Sequence, residues 1–160
     1  MSKITIYTDG AARGNPGRGG YGVVLMKGEQ YKELSRGYKL TTNNRMELMA
    51  VIAGLEALKR KDLPIEIFSD SQYVVRAIKE GWLNRWIKTQ FKGGKKNPDL
   101  WIKYYKLSQG LSIHLNWVKG HAENPYNNRC DELATAAADG DELEEDEGYT
   151  TDGSGPGFGF

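Results

Sequence analysis

The sequence predicts an α/β fold built on a five-stranded mixed sheet, an antiparallel meander plus parallel strands, flanked by helices. Three observations carry this reading. Three β-rich runs follow one another near the start, joined by connections short enough for antiparallel neighbours. A helical apolar pattern then occupies 44–58. A short strand pattern at 65–69 follows it, and the order strand, helix, strand implies a parallel crossover back beside the first strand.

Taken in order, residues 3–8 alternate, with Ile4 and Ile6 set against Thr5 and Tyr7. Residues 21–26 form the second strand after the glycine-rich turn at 15–20, and 31–40 the third. In 44–58, Leu48, Val51, Ile52, Leu55 and Leu58 recur on one helical face. Pro64 precedes the fourth strand. Helical patterns follow at 71–80 and 99–109, and Ile113, Leu115 and Trp117 mark a fifth strand. The last helix is expected over 126–140, with Gly140 supplying a left-handed cap. Its buried face is defined by Cys130, Leu133, Ala134 and Ala137, and Cys130 reads as a small buried hydrophobe.

With 160 residues, 39% of them hydrophobic, the chain suits one domain with a real core. That domain is expected over 1–140. Residues 139–152 carry eight acids and no base, and glycines at 153, 155, 157 and 159 surround Pro156. Such composition buries too little to fold, so 141–160 is expected to be a disordered acidic and Gly-rich tail. No unbroken apolar stretch suggests a signal segment or a membrane span. With a single cysteine there is no internal disulfide, which suits a cytoplasmic location.

The net charge of +1 hides an asymmetry, because without the acidic run residues 1–138 carry +9. A basic body favours a polyanionic partner. The basic residues are densest at 76–106, where nine of them stand against Glu80 and Asp99 with Trp82, Trp86, Phe91 and Trp101 interleaved. Cations among aromatics suit a strand-tracking surface; a solvated face over core aromatics is the plainer alternative, and Trp101 reads as core.

Carboxylates supply the candidate chemistry. Asp9 ends an apolar strand and is followed by Gly10 and Ala11, so it has no helix to cap. Asp70 ends the fourth strand. Adjacent parallel strands would bring both acids to one sheet edge, where such sheets place ligands. Hard oxygen donors that repel one another become favourable around a divalent cation such as Mg2+. Each of the others also has a structural reading. Asp70 can cap a helix, Asn44 and Glu47 have capping-box spacing, and Asp131 and Glu132 suit the first turns of the last helix.

The motifs YTDGAARGNPGRGGYG (7–22), TTNNRMELMA (41–50), SDSQYV (69–74) and VKGHAENPYNNRCDELA (118–134) together resemble those of bacterial type 1 ribonucleases H, in that family's order over 3–140. The resemblance implies a ribonuclease H-like fold and endonucleolytic hydrolysis of the RNA strand of RNA/DNA hybrids, leaving 5′-phosphate and 3′-hydroxyl ends. It implies a metal-binding tetrad of Asp9, Glu47, Asp70 and Asp131 holding two Mg2+ ions, with Mn2+ as a substitute. His121 matches the family's histidine for proton transfer or product release. Asn15, Thr42, Asn43, Asn44 and Gln72 match residues that contact the hybrid, and 76–106 resembles the basic handle, with Trp82, Trp86, Lys88, Lys95 and Lys96 facing the DNA strand. Members of this size act as monomers. A non-catalytic hybrid-binding module of the same fold is the alternative, although a binder gains nothing from repelling acids beside phosphates. The acidic tail reads as solubilising chain or as a competitor for the handle, and competition implies that deleting 141–160 strengthens hybrid binding.

Overall fold

The computed structural model describes residues 3–94, 96–119 and 124–149. Its centre is a six-stranded sheet in the order β5-β4-β1-β2-β3-β6. The strands are β1 (Ile4–Arg13), β2 (Gly17–Lys27), β3 (Gln30–Thr41), β4 (Ile65–Ser69), β5 (Ile113–Trp117) and β6 (Leu143–Glu144). The expected meander is present, with β1, β2 and β3 successively antiparallel. The expected crossover is present too, since β4 pairs parallel with β1 and β5 parallel with β4.

Among the described residues five helices accompany the sheet: α1 (Asn43–Glu56), α2 (Gln72–Lys79), α3 (Trp82–Lys88), α4 (Pro98–Ser108) and α5 (Pro125–Asp139). Side chains alternate along β1, so its two faces serve different helices. Ile6 points at α1, where it lies against Gly54. Tyr7 lies on the α5 side, its ring 5.3 Å from that of Tyr126. The α1 face holds the main core, with Ile6, Val23, Leu48, Val51 and Ile67 wholly buried. Trp101 of α4 is also fully buried, as expected. On the other face α5 buries Cys130, Ala134 and Ala138, and it comes so close that a side chain on Gly22 would strike the Cys130 carbonyl. No helix among the described residues is long and apolar enough to cross a membrane.

Several expectations need correction. The sheet has six strands because residues 143–144 add to β3 in parallel. The segment 141–149 is therefore packed on the domain, whereas residues 150–160 lie outside the described residues. Successive acids explain how such a polar stretch is held: Glu144 pairs with Arg36, Glu145 with Lys39 and Asp146 with Arg45. Gly140 has an extended backbone (φ −80°, ψ −179°), not a left-handed one, because the chain runs straight on towards β6. The seven-residue α3 is an added element, entered through Gly81 at φ 76°. Two caps also differ. Thr42, not Asn44, caps α1 by accepting from Arg45 N, and Ser71, not Asp70, caps α2 by accepting from Val74 N.

Candidate active site

Register explains why two acids meet. Thr8 stands opposite Ser69 in the β1–β4 pair, so Asp9 and Asp70 are the next residues at that edge. The third comes from α1. Gly10 lets the first turn of α1 lie directly on β1, for a side chain there would collide with the backbone of Met46 and Glu47. With the α1 cap at Thr42, Glu47 has no capping role and turns to the same edge. Ligand oxygens of Asp9, Glu47 and Asp70 all lie within 4.8 Å of one another.

These carboxylates are poorly compensated. Asp9 and Glu47 are only 5% and 6% exposed. Gly10 N donates to Asp9 Oδ1 at 2.9 Å, but Glu47 Oε1 and Asp70 Oδ1 are buried without a hydrogen-bond partner. Burial, then the charges of Asp70 and Asp131, pushes the Asp9 carboxyl up to about 8. Burial, followed by the charges of Asp9 and Asp70, holds Glu47 well above the usual carboxylate range. Unpaired buried charge is costly, and orphaned hard oxygens this close suit a divalent cation of the Mg2+ or Mn2+ type.

Asp131 is not one of that close group of three. It sits in the second turn of α5, within the first turns expected for it, and its charge acts on Asp9. The neighbouring Cys130 is buried and anchors α5 to β1, its thiol donating to the Tyr7 carbonyl at 3.2 Å. His121 and Lys95 lie outside the described residues.

The candidate substrate residues form a second group around the start of α1. Asn15 Oδ1 accepts from Asn43 N at 3.1 Å, and Asn43 Oδ1 accepts from Ala12 N at 3.2 Å. These bonds tie the β1–β2 turn to the helix. Asn44 is exposed one residue further on, and Gln72 is exposed at the start of α2. Thr42 spends its hydroxyl on the cap. The basic segment forms a separate surface on α2, α3 and the loop before α4. Trp86 is anchored in a cluster, its ring 5.8 Å from Trp101 and 6.2 Å from Phe91. Trp82 lies 6.3 Å from Trp86 and beneath the Arg76 guanidinium, 4.9 Å from the ring centre. With Arg85, Thr89, Lys92 and Gly93 these two indoles line one hollow. Lys88 and Lys96 are exposed nearby.

Two features were not singled out from sequence. Arg45, between the two groups, is buried and held by Asp99 and Asp146. Trp117 ends the fifth strand that it was expected to mark, but its role there was not foreseen: it is 47% exposed, and its indole donates to the Asp70 carbonyl at 3.2 Å.

Comparison with known proteins agrees with this geometry. A family model described as RNase H matches residues 1–139. The chain is 53% identical over 142 residues to the ribonuclease H of Desulforamulus reducens, covering 86% of this chain and 89% of that protein. Among solved structures it is similar to LC9-RNase H1, a type 1 RNase H with the type 2 active-site motif, at TM-score 0.75 and 26% identity over 84% of this chain and 71% of that one. It is likewise similar to LC11-RNase H1 in complex with RNA/DNA hybrid, at TM-score 0.68 and 29% identity over 86% and 97% of the two chains.

Proposed function

The chain belongs to the RNase H family, and on that premise we propose that it cuts the RNA strand of RNA/DNA hybrids endonucleolytically by a two-metal-ion reaction. One observation carries the proposal: the buried, unpartnered oxygens of Glu47 and Asp70 beside Asp9 on a protein whose other candidate surface is basic. The relative solved with an RNA/DNA hybrid supports the substrate. Asp9, Glu47, Asp70 and Asp131 would hold the ions. Two Mg2+ ions, or Mn2+ in their place, would supply an activated water for attack on the phosphate and charge stabilisation at the leaving 3′ oxygen, giving 5′-phosphate and 3′-hydroxyl ends.

The chain's own groups prepare that site. Gly10 N holds the Asp9 carboxylate through its Oδ1, beside Glu47 and Asp70. Burial of Glu47 keeps its oxygens from bulk water, so they are available to a cation. Asp131 adds negative charge from α5 without crowding the three. His121 is assigned to proton transfer or product release, a role that an imidazole titrating near neutrality can fill.

Substrate choice rests on the second group. The side-chain amides of Asn15, Asn43, Asn44 and Gln72 donate as well as accept, which suits sugar hydroxyls and base edges of the minor groove. Asn15 and Asn43 spend their oxygens on backbone amides, so their NH2 groups are the ones offered to the hybrid. Thr42 lies beside them for a DNA-strand phosphate. Trp82, Trp86, Lys88, Lys95 and Lys96 form the handle that tracks the DNA strand. The catalytic unit extends beyond Gly140, through Asp146 and up to Tyr149, and works as a monomer in the cytoplasm.

The test is cleavage of a labelled RNA/DNA hybrid in Mg2+ beside the same RNA as a single strand and as a duplex. Cleavage confined to the hybrid's RNA strand, with phosphatase-sensitive 5′ ends, is expected. Tight hybrid binding without cleavage in either Mg2+ or Mn2+ would favour the non-catalytic module.

A further inference from the structure

We propose that Trp117 is a positioning residue for Asp70, its indole N–H fixing the main chain from which that carboxylate is presented. The inference rests on the metal-site reading above. It starts from the end of the β4–β5 ladder. The last main-chain bond there runs from Val118 N to Ser69 O at 2.9 Å. The next carbonyl, that of Asp70, lies beyond the ladder, and Trp117 Nε1 donates to it at 3.2 Å. The indole thus extends the ladder by one rung, at the residue whose side chain faces Asp9 and Glu47.

The rest of the turn is held as tightly. Ser69 Oγ accepts from Ser71 N at 3.1 Å, and Ser71 Oγ accepts from Val74 N at 3.2 Å. The carbonyls of Ser69, Asp70 and Ser71 thus all accept hydrogen bonds, from Val118 N, the Trp117 indole and Val75 N, whereas the Asp70 carboxylate has its Oδ1 buried and unpartnered. Side-chain direction then follows from a fixed backbone, as a site preorganised for a cation requires.

Packing alone gives a poor reason for tryptophan here. The side chain is 47% exposed, so much of its apolar area stays in water and a smaller residue would fill the covered part. What the indole adds over the other aromatic and apolar side chains is a long-reaching N–H donor with no acceptor to satisfy. Neighbouring positions support the distinction: Leu115, two residues earlier on the same strand face, is buried and makes only apolar contact with the core.

The test compares Trp117→Phe, which keeps a ring without the donor, with Trp117→Leu, which removes both. Mg2+ is titrated into 15N-labelled protein, following the Gly10 amide, with unfolding midpoints measured in parallel and Asp70→Asn as the control for the site. Both Trp117 variants are expected to bind Mg2+ about tenfold more weakly, the usual cost of losing an outer-shell partner, with unchanged KM for the hybrid and kcat recovered at high Mg2+. The wild-type indole N–H resonance of Trp117 should also shift on Mg2+ addition, which tests the coupling without any variant. Wild-type Mg2+ affinity in Trp117→Phe, a loss confined to Trp117→Leu, or an indole resonance indifferent to Mg2+ overturns the proposal. Mg2+ binding unaffected by Asp70→Asn would instead overturn the metal-site reading on which it rests.

Discussion

The guanidinium of Arg45 and the carboxylate of Asp146 form a buried two-point ion pair, Nε to Oδ2 at 2.7 Å and Nη2 to Oδ1 at 3.0 Å. The pair joins residues 101 positions apart. Thr41 Oγ1 donates to the same carboxylate at 2.6 Å, and Asp99 grips the other edge of Arg45 at 2.9 and 2.7 Å. A charge this enclosed is tolerated only while it is matched. The first two turns of α1, which carry Asn43, Asn44 and Glu47, are therefore held by the segment that follows the last helix.

Asp146→Ala is expected to destabilise the protein by less than the about 3–5 kcal/mol that stranding a buried charge outright costs, because Asp99 still pairs with Arg45. Urea unfolding measures it. Deleting 141–160 should cost at least as much, because it removes Asp146 from Arg45, so the stronger hybrid binding expected of this deletion has to be measured beside its effect on stability.

Asp9 makes the metal-free protein sensitive to pH. Its carboxyl ordinarily ionises near 3.8 but is pushed up to about 8 in the fold, chiefly by burial and then by Asp70 and Asp131. Between those values the folded protein keeps a proton that the unfolded chain has released. The contribution to stability is thus full below about pH 4 and lost as pH rises through about 8. The Tm of the metal-free protein should fall over that range, and Asp9→Asn should flatten the fall. Because Mg2+ must displace the proton, its stabilising effect should grow over the same interval. A stabilisation independent of pH would contradict the assignment.

Gly10→Ala places a methyl group against the Met46 and Glu47 backbone, where neither neighbour can rotate away. Overpacking of this kind costs about 1–3 kcal/mol. The strain falls on the contact that seats Glu47, so Mg2+ affinity should drop along with stability. Unfolding and Mg2+ titration of the same preparation read both.

Lys88 is exposed on the α3 surface with Trp82 and Trp86. If it neutralises one phosphate, Lys88→Ala should reduce the slope of log K against log salt by about 0.9, measured by hybrid binding in Ca2+ to prevent cleavage. Trp86→Ala should behave differently, because that ring is packed on Trp101 and Phe91. It should cost stability as well as affinity.

The meander, the crossover and the long helix were legible because each has an apolar period of its own. Asp9 was legible for the opposite reason, as an acid at a strand end with no local task. Glu47 and Asp70 were ambiguous alone because acids also cap helices. The structure resolves this through neighbours, Thr42 and Ser71, whose hydroxyls take the caps. Choosing among adjacent short polar residues depends on backbone angles that local sequence does not fix. Asp146 was hidden by composition: an acid-rich run resembles solvated chain until β3 and α1 present Arg36, Lys39 and Arg45 to it. Trp117 was legible as a strand residue but its exposure was not, because strand alternation reports which face a residue takes and not where the covering helices stop.

We propose above that Asp9, Glu47, Asp70 and Asp131 act as one cation site for hybrid cleavage. The most direct measurement is the rate of RNA cleavage in a labelled hybrid against Mg2+ concentration, for the wild type and Asp9→Asn, with hybrid affinity matched in Ca2+. Loss of cleavage by at least a factor of about 10³, equivalent to roughly 4 kcal/mol in the barrier, with binding retained, is the predicted result. Undiminished Mg2+-dependent cleavage by Asp9→Asn would contradict it.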